Sequence, residues 1–266
     1  MIYVNERPYS QVNGSTISTV ASELKPDTDV FIINGFPVAP DTKVEEGDKC
    51  WLIKRGEVPG PEEVEHLLYA RHTPGVQDKV KNASVAIMGL GGLGSSVSIA
   101  LARIGVGRLI LTDYDVVEPS NLNRQQYFVD QIGLKKTDAL QVNLRRVNPY
   151  LQIEIHDVVL DEESIPQLFG GVDVLVECFD GADMKAAALR AALLNMQGIG
   201  YVGSSGLAGY EANNSIMTRR IAEKVYVVGD GETAAGPGEG LMAPRVGIAA
   251  HHQANQVLRI LLDLEN

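Results

Sequence analysis

Two hydrophobic rhythms divide this chain. Before residue 58 the apolar runs are short and broken by turn residues. "MIYVNERPY" predicts a strand, "STISTVASEL" a short helix with a Ser/Thr start, "DVFIINGFPV" two strands about Asn34-Gly35, and "DKCWLIKR" a closing strand. Strand, helix and returning strands in so short a span predict a small sheet with one helix laid across it. "GEVPGPEE" interrupts the pattern and reads as a linker, and "EEVEHLLYARH" as a short helix beyond it.

From Lys81 the rhythm becomes strand, loop, helix, repeated. "ASVAIMG", "GRLILTDYD", "QIEIHDVV" and "VDVLVECFD" predict buried strands; "LGSSVSIALARIGV", "TDALQVNLRRVNP" and "ADMKAAALRAALLNMQG" predict the helices among them. Such alternation predicts an α/β fold with a doubly wound, mainly parallel, Rossmann-like sheet. After "IGYVGSSG" come shorter strands, "NSIMTRR" and "EKVYVVG". A glycine-rich loop, "GDGETAAGPGEG", then precedes a final helix, "RVGIAAHHQANQVLRILLD". The expected organisation is a small α+β domain over 1–58, a linker and short helix over 59–80, and a large domain over 81–266.

Composition narrows the partners. The 266 residues are 45% apolar, enough for one large and one small core. A net charge of -11 argues against a DNA-binding surface, because neutralising phosphates needs clustered cations. No basic-then-apolar leader and no membrane-length apolar run is visible, so a cytoplasmic protein is expected. Cys50 and Cys178 lie too far apart for a C-x-x-C pair, so no zinc is expected.

"MGLGGLGSS" carries the candidate chemistry. Glycines at Gly89, Gly91, Gly92 and Gly94 between a strand and a helix let backbone N–H groups approach phosphate oxygens at a helix N-terminus. Asp113 ends the next strand about 20 residues on, where an acid holds ribose hydroxyls. To this point a nicotinamide dinucleotide and ATP fit equally. "PSNLNRQQYF" then supplies Asn121, Arg124 and Gln125, and "GLKKTDAL" supplies Lys136 at a helix start. A triphosphate needs more cations than a pyrophosphate, so Arg124 and Lys136 favour ATP. Asp180 ends "VDVLVECFD" at the carboxyl edge of the sheet, where it could hold Mg²⁺.

Through "YARH", "GLGGLGS", "DYD", "NLNRQ", G-x-x-K and the strand-end Asp, the chain from about Arg71 onward resembles the ThiF/MoeB/HesA branch of the ubiquitin-activating enzyme superfamily. The resemblance implies an adenylyltransferase that uses Mg²⁺ and ATP on the C-terminal glycine of a small sulfur-carrier protein ending in Gly-Gly, in thiamine biosynthesis or a related sulfur transfer. It implies backbone donors near Gly91 and Gly92, ribose binding by Asp113, and phosphate contacts from Asn121, Arg124, Gln125 and Lys136. It also implies Mg²⁺ at Asp180, and a homodimer in which Arg71 reaches the other subunit's site.

The chain departs from the family pattern at three places. Asp180 is followed by Gly181 where relatives usually have Asn, the C-x-x-C pairs of zinc-bearing relatives are absent, and the glycine-rich loop lacks the cysteine that some relatives carry there. The residues before 58 resemble the ThiS-like β-grasp fold, the substrate class of these enzymes, but "IKRGEVPGPEE" has no Gly-Gly and runs on into the chain. Two other readings are adenylation of a non-protein carboxylate, such as a tRNA nucleoside, and a binding module that holds nucleotide without turnover.

Overall fold

The computed structural model describes residues 1–10 and 14–264, so the last two residues of the predicted large domain lie outside it. The chain forms two compact units, Met1–Gln77 and Asp78–Asn266.

In the first unit, β1 (Ile2–Val4) and β2 (Arg7–Tyr9) precede α1 (Ile17–Leu24), followed by β3 (Val30–Ile33), β4 (Phe36–Pro37), β5 (Lys49–Ile53) and α2 (Pro61–Arg71). The sheet order is β2-β1-β5-β3-β4, with β1 and β5 parallel and the other pairs antiparallel. Ile17, Val20 and Ala21 of α1 close one core with Ile2, Val4, Ile33, Cys50 and Leu52 of the sheet. The single strand expected over "MIYVNERPY" is a hairpin. Asn5 and Glu6 both take positive φ, 46° and 65°, which reverses the chain within two residues. Residues 59–77 group with this unit: Asn5 Nδ2 donates to Glu63 Oε1 (3.0 Å), and Arg71 of α2 pairs with Glu6 (3.6 Å).

The second unit begins with α3 (Val76–Val80), a single turn that spans the division, and continues β6 (Ser84–Met88), α4 (Gly92–Arg103), β7 (Arg108–Thr112), α5 (Lys136–Val147), β8 (Gln152–His156), α6 (Ser164–Phe169), β9 (Val174–Glu177) and α7 (Ala182–Asn195). It ends with β10 (Gly200–Ser204), β11 (Met217–Ala222), β12 (Val225–Gly229) and α8 (Ala243–Leu261). The strand order is β11-β12-β10-β9-β6-β7-β8, parallel throughout except for β11 at one edge. This is the predicted doubly wound sheet. The short helices α3 and α6 were not foreseen, because one or two turns show too little periodicity to register.

Winding proceeds outward from β6 through β7 to β8, then returns across β6 to β9. The sheet reverses direction between β6 and β9, and open α/β sheets bind ligands in the crevice at such a point. In register, Met88 faces Glu177 there. Glu177 is a fully buried carboxylate, and Lys185 of α7 reaches it at 2.9 Å. Lys185 also donates to the hydroxyl (2.8 Å) and carbonyl (3.1 Å) of Ser204 on β10. One ammonium group thus ties α7 to two strands. Burial pushes the Glu177 carboxyl up from its ordinary value of 4.5, and Lys185 and the N–H groups of Ser204 and Phe179 offset part of that shift.

Lys185→Met is therefore expected to lower the unfolding free energy by about 3–5 kcal/mol, the cost of stranding a buried charge. Because the folded value is raised, this group's stabilisation is complete below the ordinary value of 4.5 and is lost as pH rises through the higher folded value. Removing Lys185 raises the folded value further, so the variant's deficit should grow from acid to neutral pH. Urea denaturation at several pH values would measure this, and a deficit independent of pH would show that Glu177 is not the group involved.

Candidate functional site

Gly89 to Gly94 turn from β6 into α4 at the crevice. A Cβ on Gly94 would lie 1.9 Å from the Gly89 carbonyl oxygen, so the helix meets the strand end too closely for any side chain there. At Gly92 the same atom would fall 2.9 Å from Val246 Cγ1 of α8 and 3.5 Å from Arg124 Cγ. At Gly89 it would lie 3.0 Å from the Cys178 carbonyl oxygen, which puts the end of β9 beside the loop. Gly91 has more room, its nearest such neighbour being Gln125 Nε2 at 3.8 Å.

The loop is clamped from two directions. Leu90 N–H donates to Asp113 Oδ2 (2.6 Å), and the Tyr127 hydroxyl donates to the Leu90 carbonyl (2.8 Å). Gln126 adds two bonds into the first turn of α4, from its backbone N–H to Ser95 Oγ (3.1 Å) and from Nε2 to Ser96 Oγ (3.2 Å). Burial, then the carboxylates of Asp113 and Asp115, push the Tyr127 phenol far above its ordinary range, so it stays a donor. Tyr127, Ser95, Ser96 and Gln126 were not singled out in the sequence. Their pairing crosses some thirty residues of chain and has no local pattern.

Most of the predicted site residues come together here. Asn121 lies within a short 3-10 helix, Pro119–Asn123, where its Oδ1 accepts the Glu118 N–H (3.0 Å), and Arg124 and Gln125 follow that helix. Arg124 Nη1 bonds Asn123 Oδ1 (2.8 Å), while its Nε and the Gln125 Oε1 are buried without a partner among the described residues. Such orphaned atoms beside a glycine loop suit a polar ligand. Lys136 is 6% exposed at the start of α5 and reaches Asp115 Oδ2 at 2.7 Å, leaving two of its three donors. Asp113 accepts one N–H on each oxygen, from Leu90 and Asp115, and each oxygen keeps a second lone pair.

Asp180 lies exposed two residues past Cys178, just ahead of α7, and its carboxylate has no hydrogen bond or ion pair among the described residues. Arg71 belongs to the first unit, where its guanidinium sits 5.6 Å above the Trp51 ring. The cysteines are poor nucleophiles. Burial, then Asp48, raise the Cys50 thiol to about 11, and burial, then Glu177, raise Cys178 well above its ordinary value. Among the described residues no group of three or more His, Cys, Asp and Glu side chains could hold a metal on its own, and no helix is long and apolar enough to cross a membrane.

Comparison with known proteins fits this geometry. The ThiF family profile matches residues 65–266, and a profile for ThiS-like ubiquitin matches residues 1–56. Molybdopterin-synthase adenylyltransferase of Haemophilus influenzae is 31% identical over 198 residues, covering 71% of this chain and 78% of that protein. Ubiquitin-like modifier-activating enzyme 5 of Caenorhabditis elegans is 36% identical over 125 residues, covering 43% of this chain and 30% of that much longer protein. The fold is shared with E. coli tRNA N6-threonylcarbamoyladenosine dehydratase, TcdA, solved in complex with ATP. The TM-score is 0.67 at 22% identity, covering 74% of this chain and 93% of that one.

A methyl group at Gly94 would force the loop apart. Gly94→Ala should cost about 1–3 kcal/mol of stability, the usual scale for overpacking. It should also speed hydrogen exchange at the Leu90 amide. Gly171→Ala, where a Cβ meets nothing within 4 Å, should change neither. Unchanged Leu90 exchange in the Gly94 variant would mean that the turn tolerates a side chain.

Proposed function

Because this chain belongs to the ThiF family, we propose that it is an adenylyltransferase of the ubiquitin-activating type, which uses ATP to activate the C-terminal carboxylate of a small sulfur-carrier protein ending in Gly-Gly. The finer assignment, to a carrier of the ThiS class in thiamine or a related sulfur-transfer pathway, rests on the ThiS-like residues 1–56. One observation carries the reading. A glycine loop at the switch point of the sheet has Arg124 and Gln125 beside it and Lys136 one tyrosine away, and Arg124 Nε and Gln125 Oε1 are buried polar atoms with no partner among the described residues.

In the proposed reaction a carboxylate oxygen of the carrier attacks the α-phosphorus of ATP. A bond forms between the carboxylate oxygen and the α-phosphorus, the bond from the α-phosphorus to the oxygen that bridges to the β-phosphorus breaks, and pyrophosphate leaves with that oxygen and the electron pair. Backbone N–H groups near Gly91 and Gly92 and the start of α4 would cradle the phosphates, and Asp113 would take the ribose hydroxyls. Arg124 and Lys136 would neutralise charge as it shifts to the leaving pyrophosphate, and Asn121 and Gln125 would orient the chain of phosphates. Mg²⁺, when bound, would supply further neutralisation. Asp180 would hold it, since Mg²⁺ on a nucleotide needs only one or two carboxylates beside the phosphates and water.

The β-grasp-like unit is not the substrate in this reading. Attack on ATP needs a free terminal carboxylate, and β5 continues through Lys54 and Arg55 into α2. The protein acts as a homodimer, with Arg71 completing the partner subunit's site. Exposed apolar side chains support such a second copy: Val129 (75% exposed) in the 3-10 helix Val129–Gln131, Phe128 and Ile132 at its two ends, and Val142 on α5. Gln131 fastens that helix to α5 through Asn143 (2.9 Å), and Arg146, one turn on from Val142, lies 5.8 Å from the centre of the Phe128 ring.

Purified protein should bind ATP with Mg²⁺ in preference to NAD. Carrier-dependent exchange of labelled pyrophosphate into ATP should fall at least about tenfold in Lys136→Ala, the scale of one lost charge-assisted contact. Equal exchange by both proteins would remove Lys136 from the mechanism, and NAD binding without ATP binding would overturn the reading.

Arg71→Ala and Asp180→Ala homodimers should each be weak. Mixed under subunit exchange they should recover activity, because one site per heterodimer then has both groups. No recovery despite demonstrated exchange would confine Arg71 to its own subunit or remove it from catalysis.

A further inference from the structure

Because the sheet is parallel from β12 to β8, the segments that follow β10 and β12 emerge at the same edge as the glycine loop. These segments, 205–215 and 230–242, are bound to each other and to the first turn of α8 by one buried ion pair. Arg245 Nη2 reaches Asp230 Oδ2 at 2.6 Å, and the two side chains are only 4% and 10% exposed. The guanidinium also donates to the carbonyls of Glu211 (3.1 Å) and Ala212 (3.4 Å) and to Ser215 Oγ (3.1 Å).

Asp230 gathers the other segment. Its Oδ1 accepts the N–H groups of Glu232 (2.7 Å) and Thr233 (2.9 Å), and its Oδ2 accepts the Thr233 hydroxyl (2.7 Å). Thr233 Oγ1 in turn accepts the Ala208 N–H (3.1 Å), and the Gly209 N–H bonds the Gly240 carbonyl (2.9 Å). Burial works against the charged carboxyl, but these N–H groups, the hydroxyl and Arg245 outweigh it and hold Asp230 ionised far below neutral pH. The next residue, Val246, rests against Gly92. One turn of α8 therefore touches the glycine loop with one side chain and both segments with its neighbour.

A buried Arg–Asp pair adds little net stability over apolar residues of similar volume, so its contribution is better sought in geometry. The guanidinium meets these four acceptors from one rigid planar fork, whereas an ammonium has three donors and an apolar side chain none. We propose that Arg245 and Asp230 form a latch that fixes the 230–242 loop beside the glycine loop, as positioning residues for the tail of the protein substrate. The latch follows from the packing; the identity of the tail rests on the function proposed above. A nucleotide held by the glycine loop lies at this sheet edge, so a carboxylate that attacks it reacts where both segments emerge and passes the 230–242 loop. With the latch gone, the loop no longer defines that path, while the phosphate cradle built from β6, α4 and α5 is untouched.

The decisive comparison uses the full chain with Arg245→Lys and with the paired replacement Arg245→Met/Asp230→Leu, which leaves no buried charge unpaired. Amide exchange at Ala208, Gly209, Glu232 and Thr233 should rise about tenfold or more in both variants, while amides in 84–103 stay within about twofold. ATP affinity should stay within about threefold. With a ThiS-type carrier ending in Gly-Gly as probe, its KM in pyrophosphate exchange should rise about tenfold and kcat should fall by less than about threefold. Unchanged exchange at those four amides, an unchanged carrier KM, or an equal loss of ATP affinity would each overturn the latch. A wild-type chain that binds ATP but gives no exchange with ThiS-type carriers overturns the proposed substrate instead, and the amide and ATP measurements then decide the latch alone.

Discussion

The close approach of α4 to the end of β6 sets the terms for everything near it. The Gly89 carbonyl occupies the space that a side chain on Gly94 would need, so the helix starts flush against the strand and its first N–H groups open into the crevice. A turn this tight cannot stabilise itself through side chains of its own. It borrows them: Asp113 from the end of β7 takes the Leu90 N–H, Tyr127 takes the Leu90 carbonyl, and Gln126 takes two serine hydroxyls. The same segments carry Arg124, Gln125 and Lys136. The groups that brace the loop and the groups that surround it are therefore interleaved in sequence, and moving one set moves the other.

Much of this was legible beforehand because it is local. Strand-loop-helix alternation is written in the periodicity of apolar residues, and the glycines, "NLNRQ" and G-x-x-K occupy loops whose spacing along the sheet edge follows from that alternation. The family membership read from those motifs holds. What stayed hidden was non-local. Lys185 lies within a predicted helix with no neighbouring residue to mark it, yet it is the partner of a carboxylate inside the sheet; Arg245 and Asp230 lie fifteen residues apart, across a glycine-rich loop with no pattern that pairs them. A buried charge can be recognised only once its partner is known, and the partner is chosen by topology. Asn5-Glu6 escaped for another reason, since their positive φ values carry no glycine to announce the turn.

The first unit raises a different question. Its core is complete without residues beyond β5, and its last strand passes through a short polar segment into α2 with no chain end to offer. The helix buries no side chain of its own and holds to the hairpin through polar contacts, Asn5 with Glu63 and Arg71 with Glu6. Arg71 also covers the face of Trp51, at a distance where the ring's negative face attracts a cation. An arginine so held is restrained by modest interactions at an exposed position. A stronger electrostatic partner could draw it away at small cost.

The reversal of strand order at β6 also governs how the chain comes together in time. β6 can pair with β7 soon after both are made, but its other edge waits for β9, which lies about ninety residues further along. During synthesis the first unit can finish folding while the central strand of the second still has an unpaired apolar edge. Such an edge invites pairing with another chain. The crevice between β6 and β9 cannot close before β9 is made, and Glu177 gains its partners only when α7 and β10 follow it. Until β9 arrives, the edge of β6 that it will cover stays open to pairing with another chain.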